Sequence, residues 1–202
     1  MNTPTQLPSS GGIDYTLFQA VNGLAGQSQA LDAFMVATAK YAPIIYALAL
    51  AALWLTWAPK NQRAALIAGI SALLALGLGQ IVGHIFPRDR PYLAHHVSLL
   101  ITHSPDTSFP SDHTTLAFAV AAAVWVFNRR AGISLAVFGL LVAFARVFVG
   151  AHYPGDVVGG AVLGTITSLA VVSLARTGII NRSLDRIFDF LTRFRLAAKA
   201  FK

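Results

Sequence analysis

One short stretch of the chain places an arginine, a histidine and an aspartate between two apolar runs. They are Arg146, His152 and Asp156, six and then four residues apart. A carboxylate four residues after an imidazole can turn back across the Pro154–Gly155 bend, fix its tautomer and stabilise the imidazolium form. His152 is therefore a candidate nucleophile or base, and Arg146 a fixed positive charge for an anionic substrate. A second interpretation stays open, in which Asp156 only caps the next helix and Arg146 complements a helix dipole.

A second polar cluster follows a long apolar run and has two arginines between prolines, in the sequence PRDRP from residue 87 to 91. Two guanidinium groups held in this way make a bidentate anion clamp of the kind that binds phosphate. Arg88 and Arg90 are thus candidate phosphate ligands. Alternatively, they anchor a helix to lipid headgroups, or one of them pairs with Asp89.

A third cluster, FPSDH from residue 109 to 113, precedes another apolar run. Ser111 is placed as an N-cap, and the free backbone N–H groups beside it can hold a phosphate at the positive end of the helix. His113 then becomes a candidate general acid. In the alternative interpretation, Ser111 or Asp112 merely caps the helix and His113 is a hydrogen-bonded histidine at the interface.

The composition indicates an integral membrane protein. Of the 202 residues, 55% are hydrophobic and 11% charged, and the mean hydropathy is +0.63, outside the usual range of soluble proteins. The net charge of +7 favours contact with anionic lipid headgroups over nucleic acid. The chain has no cysteine, which excludes disulfides and thiolate metal sites.

Apolar runs predict an all-α bundle of five transmembrane helices, because about 20 helical residues cross a bilayer core. The runs are Tyr41–Trp57, Ala64–Phe86, Thr114–Phe127, Gly132–Gly150 and Val157–Ala175. The third is short, so we expect its first turn to reach back to Ser111. Residues 1–12 are predicted to be a flexible leader, residues 13–176 the membrane domain, and residues 177–202 a basic amphipathic tail that lies on anionic lipid. Within the membrane domain, Ile13–Ala39 has the pattern of amphipathic helices at the interface.

The count of five spans predicts which side of the membrane each cluster faces. All three polar clusters then lie on one side, together with Lys40. The opposite side carries Lys60, Arg63, Arg129, Arg130 and the basic residues of the tail. Positive charge is enriched in cytoplasmic segments. We therefore expect the clusters to face outward from a bacterial cytoplasmic membrane and the C-terminus to be cytoplasmic.

The three clusters together resemble the motifs of the type 2 phosphatidic acid phosphatase superfamily. The matching segments are Arg90-Pro91, Pro110-Ser111-Asp112-His113, and Arg146, His152 and Asp156 at the spacing Arg-x5-His-x3-Asp. The form Pro-Ser-Asp-His and the compact five-span chain are most similar to the bacitracin-resistance type of undecaprenyl-diphosphate phosphatase. The resemblance implies hydrolysis of undecaprenyl diphosphate to undecaprenyl phosphate and inorganic phosphate, which recycles the carrier lipid of cell-wall synthesis.

The resemblance also implies a role for each matching residue. His152 attacks phosphorus and forms a phosphohistidine, Asp156 orients it, and His113 protonates the departing oxygen. The phosphoryl oxygens are held by Arg90, Arg146 and Ser111, with Arg88 and Asp112 as further candidates. This scheme uses no metal and no cofactor. The lysine of the family motif falls on Gly83, so its positive charge is missing, with Arg88 or His84 as candidate substitutes. Asp112 stands where the family has glycine, and we expect it to pair with an arginine, to cap the helix, or to select a protonated or metal-bound form of a diphosphate.

Two other functions are compatible with these residues. A phosphatase for phosphatidic acid or phosphatidylglycerol phosphate would use the same site, because the catalytic residues contact only phosphate. A protein of another class, which binds or transports lipid phosphates without hydrolysis, would use the arginines alone. The chain lacks the paired repeats and interrupted helices that are typical of transporters.

Overall fold

The computed structural model describes residues 12–102 and 106–177. Within these residues all regular structure is helical: α1 (Ile13–Asn22), α2 (Gln29–Leu55), α3 (Pro59–Ile85), α4 (Pro91–Ala94), α5 (Asp112–Phe127), α6 (Arg129–Phe148) and α7 (Pro154–Ala175). The predicted all-α membrane bundle is confirmed. Among the described helices, α2, α3, α6 and α7 are long and apolar enough to cross a membrane, whereas α5 has 16 residues. The count of five spans stays a prediction.

Helix α5 lies at the centre of the bundle, against α2, α3, α6 and α7. Its contact surface is made of small side chains, so the neighbouring backbones come close, as is common in membrane helices. On α7, Gly160 and Gly164 face α5. A Cβ atom at Gly160 would lie 2.7 Å from the carbonyl oxygen of Ser111, and one at Gly164 would collide with the carbonyl oxygen of Thr115. These two glycines bring the first turns of α5 and α7 side by side.

The predicted amphipathic region over residues 13–39 is wrong in its second half. After α1 and a turn at Gly26, α2 runs without a break from Gln29 through Pro43 to Leu55. Met35 and Ala39 are buried against the end of α6 in a core that includes Phe148. The second half of this segment therefore belongs to a long bundle helix and is not a separate surface helix. The predicted basic tail lies, from residue 178 onward, outside the described residues.

The long connection between α3 and α5 crosses the end of the bundle and is tied to the neighbouring helix ends. Ser108 N donates to the carbonyl of Arg88 at 2.8 Å, and Ser111 N donates to the carbonyl of Asp156 at 3.1 Å. Farther along, the Asn22 side chain of α1 donates to the carbonyl oxygens of Ser98, at 2.9 Å, and Phe148, at 2.8 Å. These bonds hold the connection over the turn between α6 and α7.

Candidate active site

Residues of two sequence clusters meet at the imidazole of His152. Its Nε2 lies 3.1 Å from Nη1 of Arg90 and 3.3 Å from Nη2 of Arg146. Guanidinium nitrogens only donate hydrogen bonds, so Nε2 is the unprotonated nitrogen. On the other side of the ring, Nδ1 donates to the carbonyl oxygen of Ser108 at 2.8 Å. This tautomer presents the lone pair of Nε2 toward the two arginines, where an anion would be held.

His152 is kept neutral by its surroundings. The residue is buried, 1% exposed, and it lies in the turn between α6 and α7. Burial lowers the pKa of His152 to about 4; the nearby Asp156 carboxylate opposes this shift, while the charges of Arg146 and Arg90 add to it. A neutral imidazole has the free lone pair that a nucleophile needs.

Asp156 stands behind the imidazole but does not bond it closely. Its Oδ2 is 3.8 Å from Nδ1 of His152, and it accepts instead from Ser108 Oγ at 2.6 Å and from Tyr153 N at 2.8 Å. The tautomer of His152 is thus fixed by the Ser108 carbonyl, and the carboxylate acts through charge and through Ser108. Asp156 also caps α7 in a capping box with Tyr153, so the capping interpretation of this residue holds, and its catalytic role stays a prediction.

The two arginines in front of His152 are both buried, Arg90 at 3% and Arg146 at 2% exposed. Arg90 Nε donates to Asp106 at 2.8 Å, and its Nη1 donates to the carbonyl of Ala151 at 3.0 Å. Among the described residues, Nε of Arg146 has no hydrogen-bond partner. A buried guanidinium donor without an acceptor is unfavourable, and a bound anion would supply the acceptor.

A cavity of about 560 Å³ opens in front of this arginine. Arg146 and His113 line it together with Lys40 of α2. Most of the remaining wall is apolar, from Val36 and Ala39 of α2 and from the connection near residue 100. Charged and apolar walls in one cavity suit a lipid with an anionic head.

The start of α5 differs from the sequence prediction that the side chain of Ser111 or Asp112 caps the helix. Ser111 is the N-cap but makes no capping bond with its side chain; its Oγ accepts from Thr114 Oγ1 at 3.2 Å. Asp112 does not pair with an arginine in the described structure: both its oxygens accept from Nε2 of Gln80 at 3.2 Å. The interaction with α3 therefore satisfies the carboxylate that stands in place of the family glycine. Ligation of phosphate by Ser111 or Asp112 stays a prediction.

Arg88 occupies a position behind the histidine, away from the arginine pair. Its Nη1 donates to Asp156 Oδ1 at 2.8 Å and its Nη2 to Asp14 Oδ2 at 2.6 Å, and the guanidinium lies 4.0 Å from the ring centre of Tyr153. Burial lowers the pKa of Arg88, but the two carboxylates outweigh burial and raise it above its ordinary value. This geometry favours a positioning role over the phosphate ligation predicted from the sequence.

Sequence reasoning did not select four residues that the structure brings to this site: Asp14, Lys40, Ser108 and Asp106. Asp14 is far from the motifs along the chain and belongs to α1. Ser108 is a single serine in an irregular segment, and no periodic pattern marks it. Lys40 did carry a signal, since it is the single cationic residue of the apolar helix α2.

Comparison with known proteins places the chain in a family. Residues 64–179 match the PAP2 superfamily. The undecaprenyl-diphosphatase BcrC of Bacillus subtilis is 41% identical over 76% of this chain and 80% of its own length. The chain belongs to the PAP2 superfamily. A second PAP2-like relative, 34% identical over 76% of both chains, is the bacitracin transport permease protein BcrC of Bacillus licheniformis.

A solved structure has a similar fold. LpxE of Aquifex aeolicus superposes with a TM-score of 0.63, covering 83% of this chain and 99% of its own, at 24% identity. This likeness supports the arrangement of the helices. The family model and the Bacillus subtilis relative confirm the predicted family, and the chain is a multi-pass membrane protein.

Proposed function

We propose that this protein is a membrane phosphatase that hydrolyses undecaprenyl diphosphate to undecaprenyl phosphate and inorganic phosphate. The observation that carries the proposal is the guanidinium of Arg146, which lines the cavity: its Nη2 lies 3.3 Å from Nε2 of His152, and its buried Nε has no partner in the described structure. A nucleophilic nitrogen next to a cationic group with an unsatisfied donor suits an anionic phosphorus centre. We infer the identity of the substrate lipid from the name of the Bacillus subtilis relative.

In the first half of the reaction, the terminal phosphoryl group displaces the arginines from Nε2 and takes their hydrogen bonds. The Nε2 lone pair of His152 bonds to phosphorus as the bond to the bridging oxygen breaks. His113, in its protonated form, gives its proton to that oxygen, and lipid monophosphate leaves. Arg90 and Arg146 stabilise the charge on the phosphoryl oxygens.

In the second half, water hydrolyses the phosphohistidine. Neutral His113 accepts a proton from the water as its oxygen bonds to phosphorus and the N–P bond breaks. Inorganic phosphate leaves, and both histidines return to their starting protonation states. Throughout, the Ser108 carbonyl keeps Nδ1 protonated, and Asp156 stabilises the positive charge that develops on the ring.

The active end is proposed to face outward from a bacterial cytoplasmic membrane. Lys60 and Arg63 begin α3 and Arg129 and Arg130 begin α6, at the helix ends opposite the site. Enrichment of such residues on the cytoplasmic side supports this orientation. It puts the C-terminus in the cytoplasm, where the basic tail would meet anionic lipids.

The test is phosphate release by purified protein in detergent from a panel of lipid diphosphates and monophosphates. We expect the fastest release from undecaprenyl diphosphate. His152→Ala should lower kcat about 1,000-fold or more, as expected when a nucleophile is removed, whereas the matched variant His96→Ala should keep wild-type activity.

Other results would assign another function. A preference for phosphatidic acid or phosphatidylglycerol phosphate would replace the substrate and keep the mechanism. Binding of lipid phosphates without release of phosphate would favour a binding or transport protein.

A further inference from the structure

Lys40 adds a positive charge to the cavity wall that carries Arg146. It lies on α2, about three turns from the start of the helix, and lines the cavity together with His113 and Arg146. Its neighbour Ala39 is buried in the core, whereas Lys40 is exposed. An ammonium group well inside an apolar helix is unfavourable unless it faces water, an anion or a functional cavity.

The charge of Lys40 is not neutralised by a carboxylate in the part of the chain that the structure describes. Its Nζ lies 5.6 Å from the ring centre of the adjacent Tyr41. The two acidic residues close to Arg146 have other partners: Asp106 accepts from Arg90, and Asp112 accepts from Gln80. Lys40 is therefore available to an anion in the cavity.

No cationic residue of α3 lines this cavity in the described structure. A side chain at Gly83 has no room, because its Cβ atom would lie 2.7 Å from Cγ2 of Thr107 and 3.0 Å from the carbonyl oxygen of Phe109. Close packing at this glycine is what holds the segment with Ser108 against the bundle. A lysine at this position would displace that segment, so a further cation at the site has to come from another helix.

We propose that Lys40 binds the phosphate that remains on the lipid and so makes the site selective for diphosphates over monophosphates. The inference rests on the proposed function, because it needs a substrate with two phosphates. His152 attacks the terminal phosphorus, and His113 lies beside the leaving oxygen. Lys40, on the cavity wall with His113, is then placed for the leaving group. In a diphosphate that group is a phosphate, which carries negative charge on its other oxygens after His113 has protonated the bridging oxygen; in a monophosphate it is an alcohol, which carries none.

The test compares Lys40→Gln and Lys40→Arg with the wild type on a prenyl diphosphate and on the monophosphate of the same prenyl chain. Loss of a charge-assisted contact should lower kcat/KM for the diphosphate about 10- to 100-fold in Lys40→Gln. The monophosphate value should change less than about threefold by the same reasoning. Lys40→Arg keeps the charge and should keep the preference for diphosphate.

The matched control is Lys60→Gln, an exposed lysine at the start of α3 at the far end of the bundle, which should leave both values unchanged. If the monophosphate is not turned over, its constant as a competitive inhibitor replaces kcat/KM. Equal losses on both lipids, no loss on either, or a Lys40→Arg variant that behaves as Lys40→Gln overturns the inference and leaves the proposed function intact. A wild type that releases no phosphate from either lipid overturns both.

Discussion

Ser108 links His152 to Asp156, the residues for which the sequence predicted a direct contact. Its carbonyl accepts from His152 Nδ1 at 2.8 Å, and its hydroxyl donates to Asp156 Oδ2 at 2.6 Å. The side chain is fully buried. The orientation of the nucleophile therefore depends on a residue outside the three motif segments quoted from the sequence.

Ser108→Ala should reduce turnover without weakening substrate binding. The variant keeps the carbonyl but removes one donor to the buried carboxylate of Asp156, and hydrogen bonds to charged groups contribute roughly 1.5–3 kcal/mol. We expect kcat to fall about 10- to 100-fold, by the usual conversion of free energy to rate, with KM nearly unchanged. Steady-state phosphate release measures both constants. Ser134→Ala, which removes an exposed hydroxyl on α6, is the control; full activity of Ser108→Ala would contradict the bridging role.

The protonation of His152 is a second prediction at this scale. With a pKa lowered by burial to about 4, the ring is neutral above that pH and becomes charged only when the pH falls through it. Between pH 8 and 5 we therefore expect its ring nitrogen signals to stay those of the neutral form with Nδ1 protonated. Nitrogen-15 NMR of histidine-labelled protein in detergent measures this, with His152→Ala to assign the signal. Protonation near pH 6.5, the ordinary histidine value, would show that the buried arrangement is absent in solution.

At the level of elements, hydrogen bonds connect α1 to the side of the site that lies behind His152. Asp14 accepts from Arg88 Nη2 at 2.6 Å and from Gly155 N at 2.7 Å, while Arg88 also bonds Asp156. Phe18 and Asn22 of the same helix are buried. Helix α1 thus supports the position of Asp156, which explains why a short N-terminal helix packs on the bundle end.

Substitutions at Asp14 and Arg88 should act as one unit. Asp14→Asn and Arg88→Gln are each expected to lower kcat several-fold, and the double variant should lose no more than the worse single variant, since residues in one network are not additive. The kinetic constants of the four proteins in this cycle provide the test. If Arg88 instead binds phosphate directly, Arg88→Gln will raise KM strongly and Asp14→Asn will not reproduce the effect.

The packing of α7 on α5 gives another prediction for elements. Gly164→Ala would place a methyl group against the backbone of α5 at Thr115 and 2.9 Å from Ala119 N. Overpacking of this kind is destabilising by about 1–3 kcal/mol, and it should separate the helix ends that carry Ser111 and Asp156. We expect a lower melting temperature in detergent and reduced activity.

Gly77→Ala is the matched control for this packing, because a Cβ atom there meets no neighbouring atom within 4 Å. Alanine is a better helix former than glycine, so the control should be as stable as the wild type or slightly more so. If Gly164→Ala has the same melting temperature as the control, α5 and α7 pack less closely than described.

Taken as a whole molecule, the fold was more predictable than the site. Continuous apolar runs such as those in α3 and α7 are long enough to predict membrane helices. The three motifs predicted the family, which the comparisons confirmed. The start of α2 could not be predicted, because Asp32 and Lys40 give it the pattern of a surface helix while Lys40 faces a cavity. The link through Ser108 could not be predicted either, since it depends on the path of an irregular segment that no periodicity specifies.

Sidedness is the prediction that belongs to the whole chain. The protein has no cysteine, so a single introduced thiol reports its own location. Asp89→Cys, exposed beside the active end, should react with a membrane-impermeant maleimide in intact cells, whereas Lys60→Cys, exposed at the other end, should react only after the cells are permeabilised. The reverse pattern would place the site in the cytoplasm. An odd number of spans must lie between Asp89 and the C-terminus to put them on opposite sides, and α6 and α7 alone make two. A third thiol at Lys202 therefore tests whether α5 also crosses the membrane: we expect Lys202→Cys to behave as Lys60→Cys does.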